Sequence, residues 1–178
     1  MPRRLRYQVA MSVDGFIADE NGGYDWIVMD PDIDFRALVA QFDTLIMGRG
    51  TYEVVGEGGP GFKGVRTYVV SRTLDPTKHP KVTVVSDDVE TFVAGLKREK
   101  GKDKDIWLFG GGVLFRSLLE ARLVDRVEVA VIPVLLGAGI PLLPGLDGIA
   151  RLKLDDVHRY DKTGTIMLSY EVTDVVPA

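Results

Sequence analysis

Residues 106–115 constrain the fold more than any other stretch of the chain, because they read IWLFGGGVLF. A short apolar run that ends at glycine is typical of a buried strand, and Leu114, Leu118 and Leu119 then recur at helical spacing. A strand, a glycine turn and a helix start together leave unpaired backbone N–H groups that can bind a phosphate. The stretch therefore predicts a nucleotide site, with a tight turn that binds no ligand as the alternative.

Composition narrows the class of protein. The chain has 178 residues, a formal net charge of −4 and no cysteine. This length suits one domain over residues 1–178, the acidic balance argues against a nucleic-acid partner, and the absent cysteines exclude disulfides and thiolate metal sites. The most apolar stretch, residues 127–143, is broken by prolines and glycines, so it cannot be a spanning helix. We expect a cytoplasmic protein that binds neither membranes nor nucleic acid.

Strand-like and helix-like segments alternate along the chain, which predicts an α/β fold. We expect a central mixed sheet of about eight strands, mostly parallel with an antiparallel C-terminal edge, flanked by about four helices. Asp87 and Glu90 resemble a helix-start cap, and residues 161–164 resemble a hairpin turn. The expected strands are residues 5–13, 44–47, 67–70, 82–85, 106–109, 126–132, 152–159 and 165–173.

Two other expected strand ends carry groups that suit phosphate. The stretch MGRGTYE, residues 47–53, offers glycine, arginine and a hydroxyl, and VVSRT, residues 69–73, offers serine and arginine. Ligands of open α/β sheets bind outside the carboxyl ends of strands, and a guanidinium can hold a phosphate with two hydrogen bonds. The alternative for Arg49 is a surface ion pair with Glu53.

These motifs carry a resemblance. MGRGTYE, VVSRT and FGGGVLF, in that order after an N-terminal VAMSVDGFIA, resemble the dihydrofolate reductase superfamily over residues 5–173. Within it, MSVDGFIA and the stretch PVLLGAGIPL, residues 133–142, are similar to the reductase domain of the bifunctional riboflavin-biosynthesis deaminase-reductase. The resemblance implies the three-layer dihydrofolate reductase-like fold and hydride transfer from NADPH.

The resemblance also implies roles for particular residues. The turn that begins at Gly48 and the VVSRT turn would hold the adenosine 2′-phosphate and nearby pyrophosphate oxygens, through Arg49, Thr51, Ser71 and Arg72. The remaining cofactor contacts would come from Ala10 and Ile17 to the nicotinamide carboxamide, and from Gly110, Gly111, Gly112 and Val113 to the pyrophosphate and nicotinamide ribose. In the family, a cis peptide joins the first two of these glycines. Two arginines near one end independently favour NADPH over NADH.

The residues that would act on the substrate are harder to identify. Dihydrofolate reductases carry an acid a few positions after a tryptophan; Trp26 is present here, but Pro31 occupies that position, between Asp30 and Asp32. We keep Asp32 as a candidate catalytic acid, with an acidic helix start as the alternative. Asp14 in SVDG is the second candidate, with a turn residue before a glycine as its alternative. The sequence has no metal-ligand spacing, so we expect no metal.

Three functions remain open. The first is an NADPH-dependent reductase of a polar pyrimidine- or pterin-like heterocycle, for which 5-amino-6-(5-phosphoribosylamino)uracil is the best candidate substrate. The second is a dihydrofolate or pterin reductase, which Pro31 disfavours. The third is a non-catalytic nucleotide-binding regulator. Because residues 126–143 are more apolar than one sheet face requires, we also expect a homodimer; the alternative is a strand buried on both faces within one subunit.

Overall fold

The computed structural model describes residues 3–57, 59–100 and 103–177. Within these residues, four α-helices, one short 3₁₀ helix at Pro76–Lys78 and ten strands follow one another. The helices are α1 Phe35–Val39, α2 Arg49–Val55, α3 Val89–Lys97 and α4 Gly112–Glu120. The strands are β1 Leu5–Ser12, β2 Phe16–Ala18, β3 Phe42–Gly48, β4 Arg66–Val70, β5 Thr83–Val85, β6 Asp105–Gly110, β7 Arg126–Ile132, β8 Ile140–Pro141, β9 Ile149–Tyr160 and β10 Thr165–Val176.

Eight of the strands form one sheet in the order β5-β4-β3-β6-β1-β7-β10-β9. The neighbours from β5 to β7 pair in parallel, whereas β10 is antiparallel to both β7 and β9. The expected fold class is therefore confirmed: a mostly parallel sheet with an antiparallel C-terminal edge and four helices.

The helices cover the sheet on both faces because its central strands are apolar on both sides. On β3, Ile46 packs into one core cluster with side chains of α3 and α4, and its neighbours Leu45 and Met47 pack into a second cluster with side chains of α1 and α2. Residues that alternate along a strand point to opposite faces. This alternation produces the three layers and leaves the carboxyl ends of β1, β3, β4 and β6 together at one edge.

Local details differ from the sequence expectations. The loop after β1 contains β2, which pairs with β8 in a second small sheet. Asp88, not Asp87, is the N-cap of α3, and no side chain caps that helix. At α1 the cap is Asp34, whose side chain accepts a hydrogen bond from the Ala37 N–H, whereas Asp32, expected as part of an acidic helix start, does not cap the helix. The expected hairpin turn joins β9 to β10.

The apolar stretch after residue 125 is used largely inside the subunit. Strand β7 lies between β1 and β10, and Val127, Val129 and Ile132 are buried. Its hydrophobicity is explained by burial on both sides, which was the alternative to an interface. Beyond β7, Leu135 is 74% exposed, and Leu154 and Val157 of the edge strand β9 are each 51% exposed. Of the described helices, none is long and apolar enough to cross a membrane.

Candidate functional site

A cleft of about 1170 Å³ lies across the carboxyl ends of β1, β3, β4 and β6. It brings together residues that are far apart in sequence, as expected for ligand sites of open α/β sheets. Ten of the eleven residues expected to contact the cofactor line it: Ala10, Ile17, Gly48, Arg49, Thr51, Arg72, Gly110, Gly111, Gly112 and Val113.

The glycine turn forms the centre of this cleft. The Gly110–Gly111 peptide bond is cis, and α4 starts directly afterwards with Gly111 as an N-cap that provides no side-chain hydrogen bond. A methyl group at Gly111 would lie 3.3 Å from Thr51 Oγ1, whereas one at Gly112 would lie 2.7 Å from the Pro141 carbonyl oxygen. Gly111 therefore keeps the cleft open, and Gly112 allows close packing behind it.

Arginines mark one end of the cleft. Arg49 donates from Nε to Glu53 Oε1 at 2.6 Å and from a terminal nitrogen to Thr73 Oγ1 at 2.6 Å. Its side chain is 49% exposed, so a phosphate could reach the guanidinium from solvent. The ion pair with Glu53 that we weighed as an alternative is thus present. It does not exclude a ligand, because an exposed pair of this kind is weak.

Ser71 is the one expected cofactor residue that does not line the cleft. It is 7% exposed, and its Oγ accepts hydrogen bonds from the backbone N–H groups of Thr73 and Leu74 at 3.2 and 3.0 Å. The structure therefore gives Ser71 a different place from the expected one: it shapes the turn that presents Arg72. Beyond Arg72, the cleft is closed by residues at the start of α3, namely Ser86, Asp87, Asp88, Val89 and Glu90.

The other end of the cleft is apolar and aromatic. Trp107 and Phe109 of β6 contribute rings whose centroids lie 5.1 Å apart. The ring of Phe35, the first residue of α1, lies 6.5 Å from that of Trp107. The remaining wall comes from Tyr24, Ile27, Met29, Val54 and Val55. A flat ring system suits such a surface, because aromatic side chains stack on other rings.

Gln8 is the polar side chain of β1 that lines the cleft. Its backbone carbonyl accepts a hydrogen bond from Trp107 Nε1 at 3.0 Å, and its side-chain Oε1 is buried without a hydrogen-bond partner. Sequence reasoning missed this residue. A signal existed, because strands buried on both faces are almost continuously apolar, and a glutamine in the middle of such a strand departs from that pattern.

The candidate acid Asp14 does not line the cleft. Its carboxylate accepts hydrogen bonds from Ser12 Oγ at 2.6 Å, from Gly137 N at 2.7 Å and from Leu136 N at 3.1 Å. The hydroxyl of Ser12, followed by the Gly137 N–H, holds the pKa of Asp14 below its usual value. Asp14 thus fastens the loop after β1 to the loop before β8, in keeping with a turn residue.

Asp32 and its neighbour Asp30 also lie outside the cleft lining. Asp32 is paired with Lys162 at 2.6 Å. Asp30 is 1% exposed and accepts hydrogen bonds from the N–H and hydroxyl of Thr163 at 2.8 and 2.9 Å. Burial alone would raise the pKa of Asp30, but the N–H of Asp32 and the two Thr163 donors outweigh it and lower that pKa. These carboxylates fasten the segment that carries the cleft residues Ile27 and Met29 to the β9–β10 hairpin. Neither carboxylate lines the cleft, so their placement does not support proton transfer to a ligand. Trp26 donates from Nε1 to the Gly23 carbonyl and does not line the cleft either.

Comparison with known proteins relates these features to a family. Residues 3–166 match the family model of the RibD C-terminal domain. The uncharacterized proteins YyaP and YwjB of Bacillus subtilis strain 168 are 31% and 33% identical to the chain. These matches cover 94% and 90% of this chain and 94% of each relative.

Solved structures share the fold. A Shewanella sp. PV-4 protein assigned to riboflavin biosynthesis has 25% identity and a TM-score of 0.79, over 98% of this chain and 100% of that one. The dihydrofolate reductase of Enterococcus faecalis, solved in complex with NADP(H), has 22% identity and a TM-score of 0.67, over 96% and 97% of the two chains. The likeness to the second structure concerns the fold alone.

Proposed function

This chain belongs to the RibD C-terminal domain family, and from that premise we propose that it is an NADPH-dependent reductase of a pyrimidine- or pterin-like heterocycle. One observation supports the proposal: a single cleft joins an end lined by Arg49, Arg72 and the glycine turn to an aromatic end around Trp107. A dinucleotide needs the first and a flat ring needs the second.

The residues present fit NADPH. The uncapped start of α4 offers backbone N–H groups to the pyrophosphate, and Gly111 allows the cofactor to approach the backbone closely. Arg49 and Arg72 suit the 2′-phosphate that distinguishes NADPH from NADH. Ala10 and Ile17, which also line the cleft, would contact the nicotinamide.

When bound, NADPH would supply a hydride. That hydride would reduce a C=N or C=O bond of the substrate, with water as the source of the proton, and NADPH would be oxidised to NADP⁺. Trp107, Phe109 and Phe35 would stack on and orient the substrate, and positioning of this kind is a recognised source of rate enhancement. The best candidate substrate is 5-amino-6-(5-phosphoribosylamino)uracil, because the family name points to the riboflavin pathway.

The loss of NADPH absorbance in the presence of candidate substrates tests the proposal. We expect steady consumption with 5-amino-6-(5-phosphoribosylamino)uracil or with a pterin, and none without substrate. Gly111→Ala serves as the matched inactive control. NADPH binding without consumption by either compound class would instead favour the non-catalytic regulator, and failure to bind NADPH would overturn the assignment altogether.

We also propose that the protein forms a homodimer. With β7 internal, the apolar surface of the described residues now centres on the edge strand, where Leu152, Leu154 and Val157 pair with Val172, Tyr170 and Leu168 of β10 and so share one sheet face. Light scattering that gives about twice 19.6 kDa would support a dimer. Leu154→Asp should then return the mass to that of one chain, with Leu135→Asp as the comparison variant.

A further inference from the structure

We propose that the Gln8 side chain selects the substrate, by accepting a hydrogen bond at Oε1 from a ring N–H of a flat, uncharged heterocycle. The proposal rests on the proposed function, because it names the class of compound that occupies the aromatic end of the same cleft. Gln8 is neither a metal ligand nor a proton donor here; it would touch the substrate and fix its orientation.

The position of Gln8 follows from the alternation of β1. Tyr7 and Val9 face the core cluster under α3 and α4, so Gln8 faces the opposite side of the sheet, towards Trp107. The adjacent strand β6 presents Trp107 and Phe109 on that same side, and all three residues line the cleft. A ring stacked on the aromatic side chains would bring its edge to the glutamine.

The bonding of Gln8 shows what it lacks. Its backbone carbonyl is held by Trp107 Nε1 at 3.0 Å, which fixes the strand beside the aromatic wall. Its Oε1 is buried without a partner, and a buried carbonyl oxygen without a hydrogen bond is costly. Because this oxygen is closed off from solvent in the ligand-free protein, the amide turns it towards the cleft when a ligand N–H arrives to satisfy it. The ligand should therefore be a donor at this edge, as a lactam or uracil-type ring is.

The charged side chains that line the cleft all belong to its opposite end: Arg49, Arg72, Asp87, Asp88 and Glu90. Beside Gln8 on the same sheet face, Arg6 and Glu128 bind each other and do not line the cleft. The cleft surface around Gln8 is aromatic and aliphatic, and a charged ring would have to lose its hydration there. A hydrogen bond between the neutral amide of Gln8 and a neutral ring N–H fits these surroundings. A site built around a specific hydrogen bond rejects analogues that lack the matching group.

Two small ligands test this reading directly. Lumazine is a flat pteridine-dione with ring N–H groups, and 1,3-dimethyllumazine replaces them with methyl groups. We expect the wild-type protein to bind lumazine at least about 10-fold more tightly, the loss expected for one buried hydrogen bond. Ligand fluorescence reports the affinity, measured with and without NADP⁺. Equal affinities, or no binding of lumazine at all, would overturn the proposal.

Gln8→Met then assigns the preference to the side chain. Methionine keeps the length of glutamine without its oxygen, so lumazine affinity should fall about 10-fold to the level of the dimethyl compound. Gln41→Met is the matched control, because the chain has one other glutamine and its side chain contacts Arg6, outside the cleft. A preference for lumazine that survives in Gln8→Met would overturn the assignment.

A structural role for Gln8 gives a different result. Because Oε1 has no partner in the protein, Gln8→Met should melt at or above the wild-type temperature; a clear fall in melting temperature would mean that the side chain supports the fold instead. NADPH affinity should stay unchanged in Gln8→Met. The ligand measurements without NADP⁺ judge Gln8 even if NADPH fails to bind, so failure of the cofactor assignment and failure of this proposal remain distinguishable.

Discussion

The two ends of the cleft are built in different ways. The proposed cofactor end consists of short contiguous motifs: a strand stops, glycine turns the chain, and backbone N–H groups with Arg49 and Arg72 face the opening. At the substrate end, Gln8, Phe35 and Trp107 arrive from separate elements and meet only in the folded protein. The first end therefore depends on backbone shape, and the second on side chains and on the loops that hold them.

The largest expected effect is a loss of NADPH affinity, without a loss of stability, when Gly111 gains a methyl group. Gly111→Ala should weaken NADPH binding by at least about 100-fold, because the methyl group projects where the cofactor approaches. The fold should survive, since that methyl meets a single atom within 4 Å, Thr51 Oγ1 at 3.3 Å. Titration calorimetry measures the affinity and thermal melting the stability. Near wild-type NADPH affinity would refute the role of the turn.

Gly112→Ala is the companion variant. Its methyl group would lie 2.7 Å from the carbonyl oxygen of Pro141 and 2.9 Å from that of Leu142, and backbone atoms cannot move aside as a flexible side chain can. Overpacking of this kind costs about 2 kcal/mol, or a melting-temperature fall of about 4–8 °C for a chain of this size. If both variants melted alike, the distinction between an open glycine and a packed one would be wrong.

The arginines give the next largest effect. Arg49→Ala should weaken NADPH about 10-fold, at the lower end for a charged hydrogen bond because Arg49 is half exposed and already paired. NADH, which lacks the 2′-phosphate, should bind almost as before. Parallel titrations with the two cofactors measure the difference, and Arg159→Ala, on β9 outside the cleft lining, is the control. Equal losses of affinity for NADPH and NADH would show that the 2′-phosphate does not bind at this end.

The same contrast explains what could be predicted from the sequence. The glycine turn, Arg49 and Arg72 were predictable because their motifs are contiguous and the carboxyl ends of parallel strands must share an edge. Gln8 was not, because its meaning depends on the burial of one oxygen and on Trp107 beside it. The fold class was predictable from alternation, whereas β2 and β8 were missed because short strands carry little periodic signal.

The acidic candidates show the limit most clearly. Asp14 and Asp32 were placed near the substrate by resemblance and spacing, yet each carboxylate is turned to another loop: Asp14 to Leu136 and Gly137, and Asp32 to Lys162. A sequence shows that a carboxylate is present. It does not show which donors will surround it, since the Gly137 N–H and the Lys162 ammonium come from more than a hundred residues away.

The wall residues near Asp30 should depend on the hydrogen bonds between Asp30 and the distant Thr163. Thr163→Val removes one of the two Thr163 donors to the buried Asp30 carboxylate, next to the wall residues Ile27 and Met29. We expect a few-fold rise in KM for the heterocycle with little change in NADPH affinity, because only the wall loosens. Thr173→Val, on β10 and bonded to the Arg151 carbonyl, is the control. Weakened NADPH binding without a change in KM would show that the two ends are not separate.

The smallest expected effect is a pH-dependent loss of thermal stability when Asp14 is replaced. Because its pKa is lowered in the folded protein, the hydrogen bonds that Asp14 accepts from Ser12, Gly137 and Leu136 add stability that is fully present above the unfolded pKa of about 4 and is lost as pH falls through the folded value. Asp14→Asn should therefore melt below wild type at pH about 7, and the gap in melting temperature should narrow as pH falls below about 4. Asp147→Asn removes the same charge at another exposed site. If the gap stayed constant with pH, or Asp147→Asn reproduced it, the ionised carboxylate of Asp14 would not be what fastens the loop after β1 to the loop before β8.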